Sequence, residues 1–540
     1  MSDSEDEVLH EIVAELVRES DKFPKTCPTQ IHYNIGGYRA SMEFLSSAAF
    51  RIGIIAAILS AKLHSQPVGV MITASHIAPA ENVLKVVNVL SSYDTQKWEG
   101  YLDQVVNADS ADELTVCLSS VFKKSQIPAE KNAQVFVAYD TRTSSKHLVE
   151  PVMAAAKVLQ ARCVDYHTLS TPQLHYIVKS TPLYNTADSI GAPTEEGYFH
   201  RLSEAFHSLM ASRQVRPSIV VDAANGVGAV TLKKLMKEVN QNFLQVDIVN
   251  DHINCTQELN TTCGIDYVLN QQRPPPNISV QKDVKYVSFD ADADRLLYYF
   301  SGSRSFHILD GDKIASLFAL YLLDLIRAAG LQLQLGLVQT AYANGASTSY
   351  IQKTLKIPVT CVSPGLKNLQ WAAQAYDIGI YFEANGHGSI LFSPSALSVI
   401  NTHEVLSPAQ FNAIKALKSV IQLVNPACGD ALANMLLVEV ILAYKNFFLR
   451  EWNHIFAETP SRLIKCEVPD RSIYTTADAE RKLITPEGLQ QKIDALVAKY
   501  TNGRAFVRPS DTENAIRVYA EASTRSESED LALRIVELLQ

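Results

Sequence analysis

The sequence predicts an α/β protein with covered parallel sheets, followed by a smaller α+β domain. Two observations support the α/β part. Runs rich in Val, Ile, Phe and Tyr alternate with helical stretches over most of the chain, and each run ends at a polar or glycine-containing turn. A third observation, a change of sequence pattern after about residue 455, predicts the smaller α+β domain. In parallel sheets, ligands bind at the carboxyl ends of strands, so polar residues there are functional candidates.

The predicted strands are short apolar runs, at residues 68–73, 133–140, 218–224, 284–290, 335–340 and 378–383. Segments with helical periodicity lie between them, at residues 148–160, 198–210, 232–239 and 313–330. The proline-rich stretch 270–284 predicts a surface loop. Near the C-terminus, CEVPDRSIYTT, GRAFVRPS and ENAIRVYAEAS favour an antiparallel sheet, while QQKIDALVAKY and ESEDLALRIVELLQ favour helices.

Composition restricts the class of protein. A chain of 540 residues is long enough for three or four domains, and 47% hydrophobic with 19% charged residues is typical of a globular protein. The net charge of -9 argues against a general nucleic-acid binder. The acidic N-terminus does not resemble a signal or transit peptide, and the longest apolar runs are interrupted by Asp324 and Glu439. Eight cysteines without a C-x-x-C pair predict free thiols and a cytoplasmic location.

The strand-like run GVMIT ends close to Ser75, which is followed by His76. A serine at this point has two interpretations: the N-cap of a following helix, or a reactive group. A hydrolase triad is disfavoured because G-x-S-x-G is absent and the side chains of adjacent residues point apart.

The stretch SFDADADR carries Asp290, Asp292 and Asp294 directly after an apolar run. On an extended chain this spacing places the three carboxylates on one side, where they would repel one another without a cation. A set of oxygen ligands suits Mg²⁺. An EF-hand is excluded because Arg295 and Ser301 occupy the positions of its Gly and Glu. The alternative is a solvated acidic turn, but the apolar residues on both sides of the stretch argue against it.

Two further stretches carry polar groups suited to a phosphorylated sugar. Glu383, Asn385 and His387 alternate in YFEANGHG and suit the hydroxyl and acetamido groups of a sugar. The stretch FVRPSDTENAIR supplies guanidinium and hydroxyl donors for a phosphate dianion, from Arg508, Ser510, Thr512 and Arg517. The alternative for both is an ordinary surface turn. Together the four clusters predict phosphoryl-transfer chemistry.

The sequence resembles the α-D-phosphohexomutase superfamily, and within it the phosphoacetylglucosamine mutase branch. The similarity covers nearly the whole chain. Besides the four clusters it includes YNIGGYR (33–39), DTRTSS (140–145), TPQLHY (171–176), PTEEGY (193–198), VDAANGVG (221–228), LDGDKIA (309–315), QTAYANGAST (339–348), NPACGDA (425–431) and TTADAER (475–481).

The resemblance implies three related α/β domains with mixed, mainly parallel sheets plus a smaller C-terminal α+β domain, arranged around a central cleft. The expected boundaries are residues 1–185 with the catalytic serine, 186–300 with the metal loop, 301–450 with the sugar loop and 451–540 with the phosphate loop.

The resemblance also implies the reaction. N-acetylglucosamine 6-phosphate and 1-phosphate would be interconverted through a phosphoserine at Ser75 and a sugar bisphosphate intermediate, on the route to UDP-N-acetylglucosamine. One Mg²⁺ would be held by Asp290, Asp292, Asp294 and the phosphoserine. Arg39, His76, Lys85 and Arg295 would surround the phosphoserine. Lys85 suits the role of general acid–base towards the sugar hydroxyl, which requires a lowered pKa, as expected beside Arg39 and the metal.

The same resemblance implies the substrate contacts. The family's sugar loop is matched by Glu383, Asn385 and His387. The family's loop that holds the non-reacting phosphate is matched by Arg508, Ser510, Thr512 and Arg517. The expected partner is a small phosphosugar, with no nucleic acid, no membrane and a monomeric chain.

Four positions depart from the family pattern: Ile77 replaces an amide residue, and Val83, Ala291 and Asp511 replace glycines. Ile77, Val83 and Asp511 motivate an alternative function, a catalytically impaired paralogue that binds a sugar phosphate as a regulatory or scaffold protein. A third possibility is a preference for glucose or mannose phosphate, but Asn385 in the sugar loop argues against it.

Asp511→Gly is expected to tighten substrate binding, because Asp511 brings a negative charge next to a phosphate dianion. The dissociation constant for N-acetylglucosamine 6-phosphate, measured by calorimetry, tests this. Unchanged or weaker binding would contradict this interpretation of the loop.

Overall fold

The structure is a computed structural model that describes residues 3–34, 36–75, 77, 81–87, 92–125, 132–211, 218–282, 284–302, 305–510 and 514–539. The chain divides into two compact units. The first comprises Met1–Ile308 and Gln422–Leu437, and the second comprises Leu309–Ile421 and Val438–Gln540.

The first unit contains two mixed sheets with helices packed around them. Its strands are β1 (Tyr33–Asn34), β2 (Gly37–Ser41), β3 (Val68–Ile72), β4 (Glu81–Val87), β5 (Gln134–Tyr139), β6 (Arg162–Thr168), β7 (Ile219–Asp222), β8 (Val246–Val249), β9 (Lys285–Phe289), β10 (Leu296–Ser301) and β11 (Phe306–Leu309). Its helices are α1 (Asp3–Ser20), α2 (Leu45–Lys62), α3 (Ser92–Asn107), α4 (Ala111–Ser125), α5 (Thr143–His147), α6 (Val149–Val158), α7 (Thr171–Ser180), α8 (Glu195–Met210), α9 (Val227–Glu238) and α10 (Gly264–Gln271).

The second unit contains a third mixed sheet and an antiparallel C-terminal sheet. Its strands are β12 (Leu335–Thr340), β13 (Val359–Val362), β14 (Ile378–Phe382), β15 (Gly388–Phe392), β16 (Ser461–Glu467), β17 (Thr475–Ala477), β18 (Lys482–Thr485), β19 (Arg504–Pro509) and β20 (Ala515–Glu521). The remaining α-helices are α11 (Gly311–Ala329), α12 (Gly345–Ser349), α13 (Leu366–Ala373), α14 (Pro394–Thr402), α15 (Pro408–Leu423), α16 (Ala431–Lys445), α17 (Leu449–Asn453), α18 (Leu489–Val497) and α19 (Arg525–Leu539).

The three mixed sheets share one arrangement. Their strand orders are β1-β2-β4-β3-β5-β6, β11-β10-β9-β7-β8 and β13-β12-β14-β15. In each, three neighbouring strands are parallel, and the outermost of the three turns back into an antiparallel partner. These strand–loop–strand pairs are β3–β4, β9–β10 and β14–β15. All residues of β3, β9 and β14 are buried, and the polar residues of the candidate clusters lie in the loops that follow these strands.

The loops after β3, β9 and β14 hold three of the four candidate clusters. The fourth follows β19 in the C-terminal sheet, whose order β16-β20-β19 is antiparallel throughout. The predicted fold class, α/β domains with mixed sheets followed by an α+β domain, is therefore confirmed. The domain boundaries at residues 185, 300 and 450 stay predictions.

The predicted strands are found within two residues of their expected ends. The alternative of a helix after Ser75 is wrong, since Glu81–Val87 is the strand β4. Its valines suit a strand held between β2 and β3 by antiparallel pairing. Ser75 is therefore not a helix cap.

One helical segment, Met42–Lys62, is long and apolar enough to cross a membrane by length and composition. However, 83% of that window is buried inside the protein. A Cβ on Gly53 would lie 2.7 Å from the carbonyl oxygen of Val152, so α2 and α6 pack closely at this glycine. Its apolar character is that of a core helix.

Candidate phosphoryl-transfer site

Ser75 lies in the loop directly after β3 and is 8% exposed. Its hydroxyl donates to Asp290 Oδ2 at 2.6 Å and accepts from Arg295 Nη2 at 2.9 Å. Its φ of +47° is left-handed, which costs a residue with a Cβ about 1–2 kcal/mol. The surrounding contacts must therefore hold this backbone in place.

Two side chains donate hydrogen bonds to backbone carbonyl groups of the Ser75 loop. Asn260 Nδ2 donates to Ser75 O at 2.8 Å, and Arg142 Nη2 donates to Ile77 O at 2.8 Å. Arg142 is paired with the buried Asp140, which also accepts a hydrogen bond of 2.8 Å from Thr73 Oγ1. Because the loop is held through the carbonyl of Ile77, any residue type at that position can supply the contact.

Asn260→Asp is expected to lower the free energy of unfolding of the first unit by about 1–3 kcal/mol, because a carboxylate replaces the amide donor that faces the carbonyl of Ser75. Thermal unfolding followed by calorimetry measures the change. Asn185→Asp is the matched control, since Asn185 has a similar φ of +62° and is exposed. Equal melting temperatures for the two variants would contradict the role of Asn260.

The aspartate loop after β9 is organised by Asp290. Its Oδ1 accepts the backbone N–H groups of Asp294 and Arg295, both at 3.1 Å, and its Oδ2 accepts Arg295 Nε at 2.9 Å. The loop turns at Ala293, whose φ is +58°, whereas Ala291 has no positive φ. Alanine in place of glycine at Ala291 is therefore free of backbone strain.

The three carboxylates meet at one point. Asp290, Asp292 and Asp294 are buried, and one oxygen of each lies within 4.8 Å of the others. An extended chain would separate alternate Cα atoms by about 6.6 Å. The expectation of an extended segment is wrong, since residues 291–294 form a turn, and this turn draws the carboxylates together.

The electrostatics of this cluster favour a bound cation. Burial raises the pKa of all three carboxyl groups, and their mutual repulsion raises it further. Asp292 Oδ1 is buried and has no hydrogen-bond partner within the described residues. A set of carboxylate oxygens with one left unsatisfied fits a hard cation such as Mg²⁺.

Lys85 extends from β4 towards the aspartates, with its Nζ 3.3 Å from Asp292 Oδ2 and 3.9 Å from Asp294 Oδ2. Burial lowers the pKa of Lys85, but the charges of Asp292, Asp294 and Asp290 outweigh burial, and the pKa is raised. The raised pKa is that of Lys85 beside the three aspartates alone, and the lowering expected beside a bound metal stays a prediction. The pKa of Arg295 is also raised, because the charges of the neighbouring aspartates outweigh the lowering effect of burial, so its guanidinium group stays charged.

Two other residues are expected beside Ser75. Arg39 lies on β2 and forms an ion pair of 2.5 Å with Glu81, and its side chain is 45% exposed. His76 lies outside the described residues. Val83 lies opposite Arg39 within β4 and has no positive φ, so the torsional freedom of a glycine is not required there. Valine in place of glycine at Val83 is therefore free of backbone strain.

The predicted sugar loop follows β14. Glu383 N donates to His387 O at 2.9 Å, and Gly386 has a φ of +86°, so residues 383–387 form a tight turn. Asn385 Nδ2 donates to Glu383 Oε2 at 3.2 Å, while Gly365 N donates to Glu383 Oε1 at 3.0 Å. The carboxylate and amide are therefore held together as neighbours, half-buried beside the chain turn.

The predicted phosphate loop follows β19. Arg508 and Arg517 are direct neighbours across β19 and β20, and Lys465 on β16 lies opposite Arg517, so three cationic residues form a row. Arg508 Nε pairs with Glu480 Oε2 at 2.6 Å. Ser510 is buried, and its carbonyl accepts from Arg471 Nη1. Asp511 and Thr512 lie outside the described residues.

The sequence pattern does not reveal several residues that hold these loops. Arg142, Thr171 and Asn260 contact the Ser75 or aspartate loop from distant parts of the chain. Arg142 and Thr171 belong to DTRTSS and TPQLHY, which carry the family resemblance without a predicted role. Asn260 belongs to an Asn-Thr-Thr triplet, which has no local signature of a contact with Ser75.

Family models match four segments of the chain. "Phosphoacetylglucosamine mutase AMG1, domain II" matches residues 188–297, and "Phosphoacetylglucosamine mutase AMG1, domain III" matches residues 310–447. The phosphoglucomutase/phosphomannomutase models for the alpha/beta/alpha domain I and the C-terminal domain match residues 91–190 and 463–538.

Individual relatives match over the full length. The chain is 61% identical to phosphoacetylglucosamine mutase 2 of Schizosaccharomyces pombe over 541 residues, which covers 100% of both chains. The crystal structure of Aspergillus fumigatus N-acetylphosphoglucosamine mutase in complex with GlcNAc-6P and magnesium has a TM-score of 0.93 and 41% identity, and covers 98% of each chain. A Ser-to-Ala variant of that enzyme in complex with glucose 1,6-bisphosphate gives the same TM-score, identity and coverage. The chain therefore belongs to the phosphoacetylglucosamine mutase family.

Proposed function

We propose that this protein interconverts N-acetylglucosamine 6-phosphate and N-acetylglucosamine 1-phosphate through a phosphoserine at Ser75. The observation that carries the proposal is the position of the Ser75 hydroxyl, 2.6 Å from Asp290 and 2.9 Å from Arg295 at the edge of the three-aspartate cluster. Family membership supports the choice of substrate. It does not favour the alternative of an impaired scaffold paralogue.

The residues around Ser75 suit phosphoryl transfer. Asp290, Asp292 and Asp294 would hold Mg²⁺, which withdraws charge from the transferring phosphoryl group when bound. Arg295 donates to the Ser75 oxygen and keeps its positive charge, so it can stabilise the phosphoryl group on that oxygen. Its contacts with Asp290 and Asp266 hold the guanidinium in place.

Lys85 is the proposed proton donor and acceptor for the sugar hydroxyl. Its raised pKa keeps it protonated, as the donor form requires. The acceptor form becomes accessible when the charge of the neighbouring aspartates is neutralised, because burial then dominates and lowers the pKa of Lys85.

The remaining residues would bind the substrate. Glu383, Asn385 and His387 are proposed to bind sugar hydroxyl and acetamido groups, with the carboxylate oriented by Gly365. The non-reacting phosphate is proposed to bind Arg508, Ser510, Thr512 and Arg517. A phosphate bound in two sugar orientations needs several donors around one point, which the neighbouring guanidinium groups on β19 and β20 supply.

The test is direct. The purified protein is incubated with N-acetylglucosamine 6-phosphate, Mg²⁺ and a trace of glucose 1,6-bisphosphate, and formation of the 1-phosphate is followed. Parallel reactions with glucose 6-phosphate and mannose 6-phosphate measure the preference among sugars. A protein that binds the sugar phosphate but forms no 1-phosphate would overturn the proposal in favour of the scaffold alternative. Cytoplasmic location and a monomeric state stay predictions.

A further inference from the structure

Three helices begin at the backbone of the aspartate loop. Val227 N donates to Ala291 O at 2.8 Å, Thr171 N donates to Asp292 O at 3.3 Å, and Ala431 N donates to Ala293 O at 3.0 Å. Each donor is the first residue of its helix, α9, α7 and α16 respectively. The first N–H groups of a helix lack partners within the helix, and here three consecutive carbonyls of the loop satisfy them.

This arrangement stabilises a loop that carries three buried carboxylates. The positive end of each helix dipole faces the loop and offsets the repulsion among Asp290, Asp292 and Asp294. The approach of α9 depends on Gly226, where a Cβ would lie 2.3 Å from Ala291 O. The loop backbone is therefore held from three sides before any cation binds.

Thr171 makes a second contact that Val227 and Ala431 cannot make. Its Oγ1 donates to Asp292 Oδ2 at 2.7 Å, and the residue is 3% exposed. The helix start is itself fixed, because Ser170 and Gln173 form a capping box and Pro172 lies in the first turn. Thr171 thus binds both the main chain and the side chain of Asp292.

This double contact decides which oxygen of Asp292 is available. Oδ2 is taken by Thr171 and lies 3.3 Å from Lys85, whereas Oδ1 is buried without a hydrogen-bond partner in the described part of the chain. A rotation of the carboxylate would break the bond to Thr171. The hydroxyl therefore fixes the orientation in which Oδ1 is left for a cation.

We propose that Thr171 is a positioning residue of the metal site, which orients Asp292 for binding of a divalent cation through its hydroxyl. The identification of that cation as Mg²⁺ rests on the proposed function. Groups that orient metal ligands in this way typically contribute 10–100-fold to metal affinity.

The experiment measures Mg²⁺ binding to the full-length protein by titration calorimetry, with MgCl₂ alone and no sugar. Thr171→Val keeps the shape and the backbone N–H but removes the hydroxyl, and it is expected to weaken Mg²⁺ binding by about 10-fold or more. Thr171→Ser restores the hydroxyl and is expected to bind within about twofold of the unmodified protein. Thr181→Val is the matched control at the other end of α7, because the Thr181 hydroxyl contacts a carbonyl, Ile177 O, instead of a carboxylate.

A Thr171→Val protein that binds Mg²⁺ as tightly as the unmodified protein overturns the inference, and so does a lower melting temperature with unchanged affinity, which marks a structural role. Thr171→Ala provides the same comparison if Thr171→Val does not fold. Weaker Mg²⁺ binding by Thr171→Val in a protein without mutase activity would support the inference while the proposed function fails. Unaltered Mg²⁺ affinity of Thr171→Val in an active mutase would overturn the inference while the proposed function holds.

Discussion

Ser75→Ala is expected to abolish mutase activity, with kcat lower by about 10³-fold or more, because the substitution removes the oxygen that accepts and returns the phosphoryl group. The fold is expected to survive, since Asp290 and Arg295 still pair directly at 2.9 Å when the hydroxyl is gone. The loop itself stays held by Asn260 and Arg142, which contact carbonyl groups that alanine also provides.

A coupled assay for the 1-phosphate measures kcat, and intact mass before and after incubation with glucose 1,6-bisphosphate measures phosphate on the protein. Ser47→Ala is the control, because Ser47 is also a buried serine and its hydroxyl has no hydrogen-bond partner within the described residues. The control is expected to keep its activity and to gain the mass of one phosphate. If Ser75→Ala still isomerised the sugar phosphate, the phosphoserine route would be wrong.

Asp290→Asn is expected to lower kcat by about 10²–10³-fold, although the new side chain has almost the same shape. Asp290 Oδ1 accepts two backbone N–H groups, so the amide oxygen of asparagine must take that position. The NH₂ group then replaces Oδ2 and faces Arg295 Nε, which is also a donor. Two donors in contact, and the loss of one of three carboxylates, disturb both Arg295 and the cation site.

Activity measured over a range of MgCl₂ concentrations separates these two effects. Activity that is regained at high Mg²⁺ was lost through the cation site. Activity that is still missing at saturating Mg²⁺ was lost through the displaced guanidinium of Arg295. We expect both losses together. Asp247→Asn, an exposed carboxylate on β8, is the control and is expected to retain full activity. Full activity of Asp290→Asn at all Mg²⁺ concentrations would rule out the assigned role of Asp290.

The sequence by itself determined the local elements. The runs 335–340 and 284–290 contain the buried strands β12 and β9, because their mainly apolar side chains suit a sheet covered on both faces. It also placed Ser75, the aspartate trio and the Glu383 turn at strand ends, since a polar residue after a buried run marks the point where the chain leaves the sheet. These predictions succeed because they depend only on residues that are adjacent in the sequence.

Tertiary structure alone decided what these groups contact. Ser75 and Asp290 are 215 residues apart, yet their oxygens lie 2.6 Å from each other, and Thr171 reaches Asp292 from 121 residues away. The strand conformation of Glu81–Val87 depends on pairing with β2 and β3, and the raised pKa of Lys85 depends on the aspartates of another sheet. Hydrogen bonds and charges act through distance in space, so a one-dimensional pattern shows which groups are present, and only the folded chain shows which of them meet.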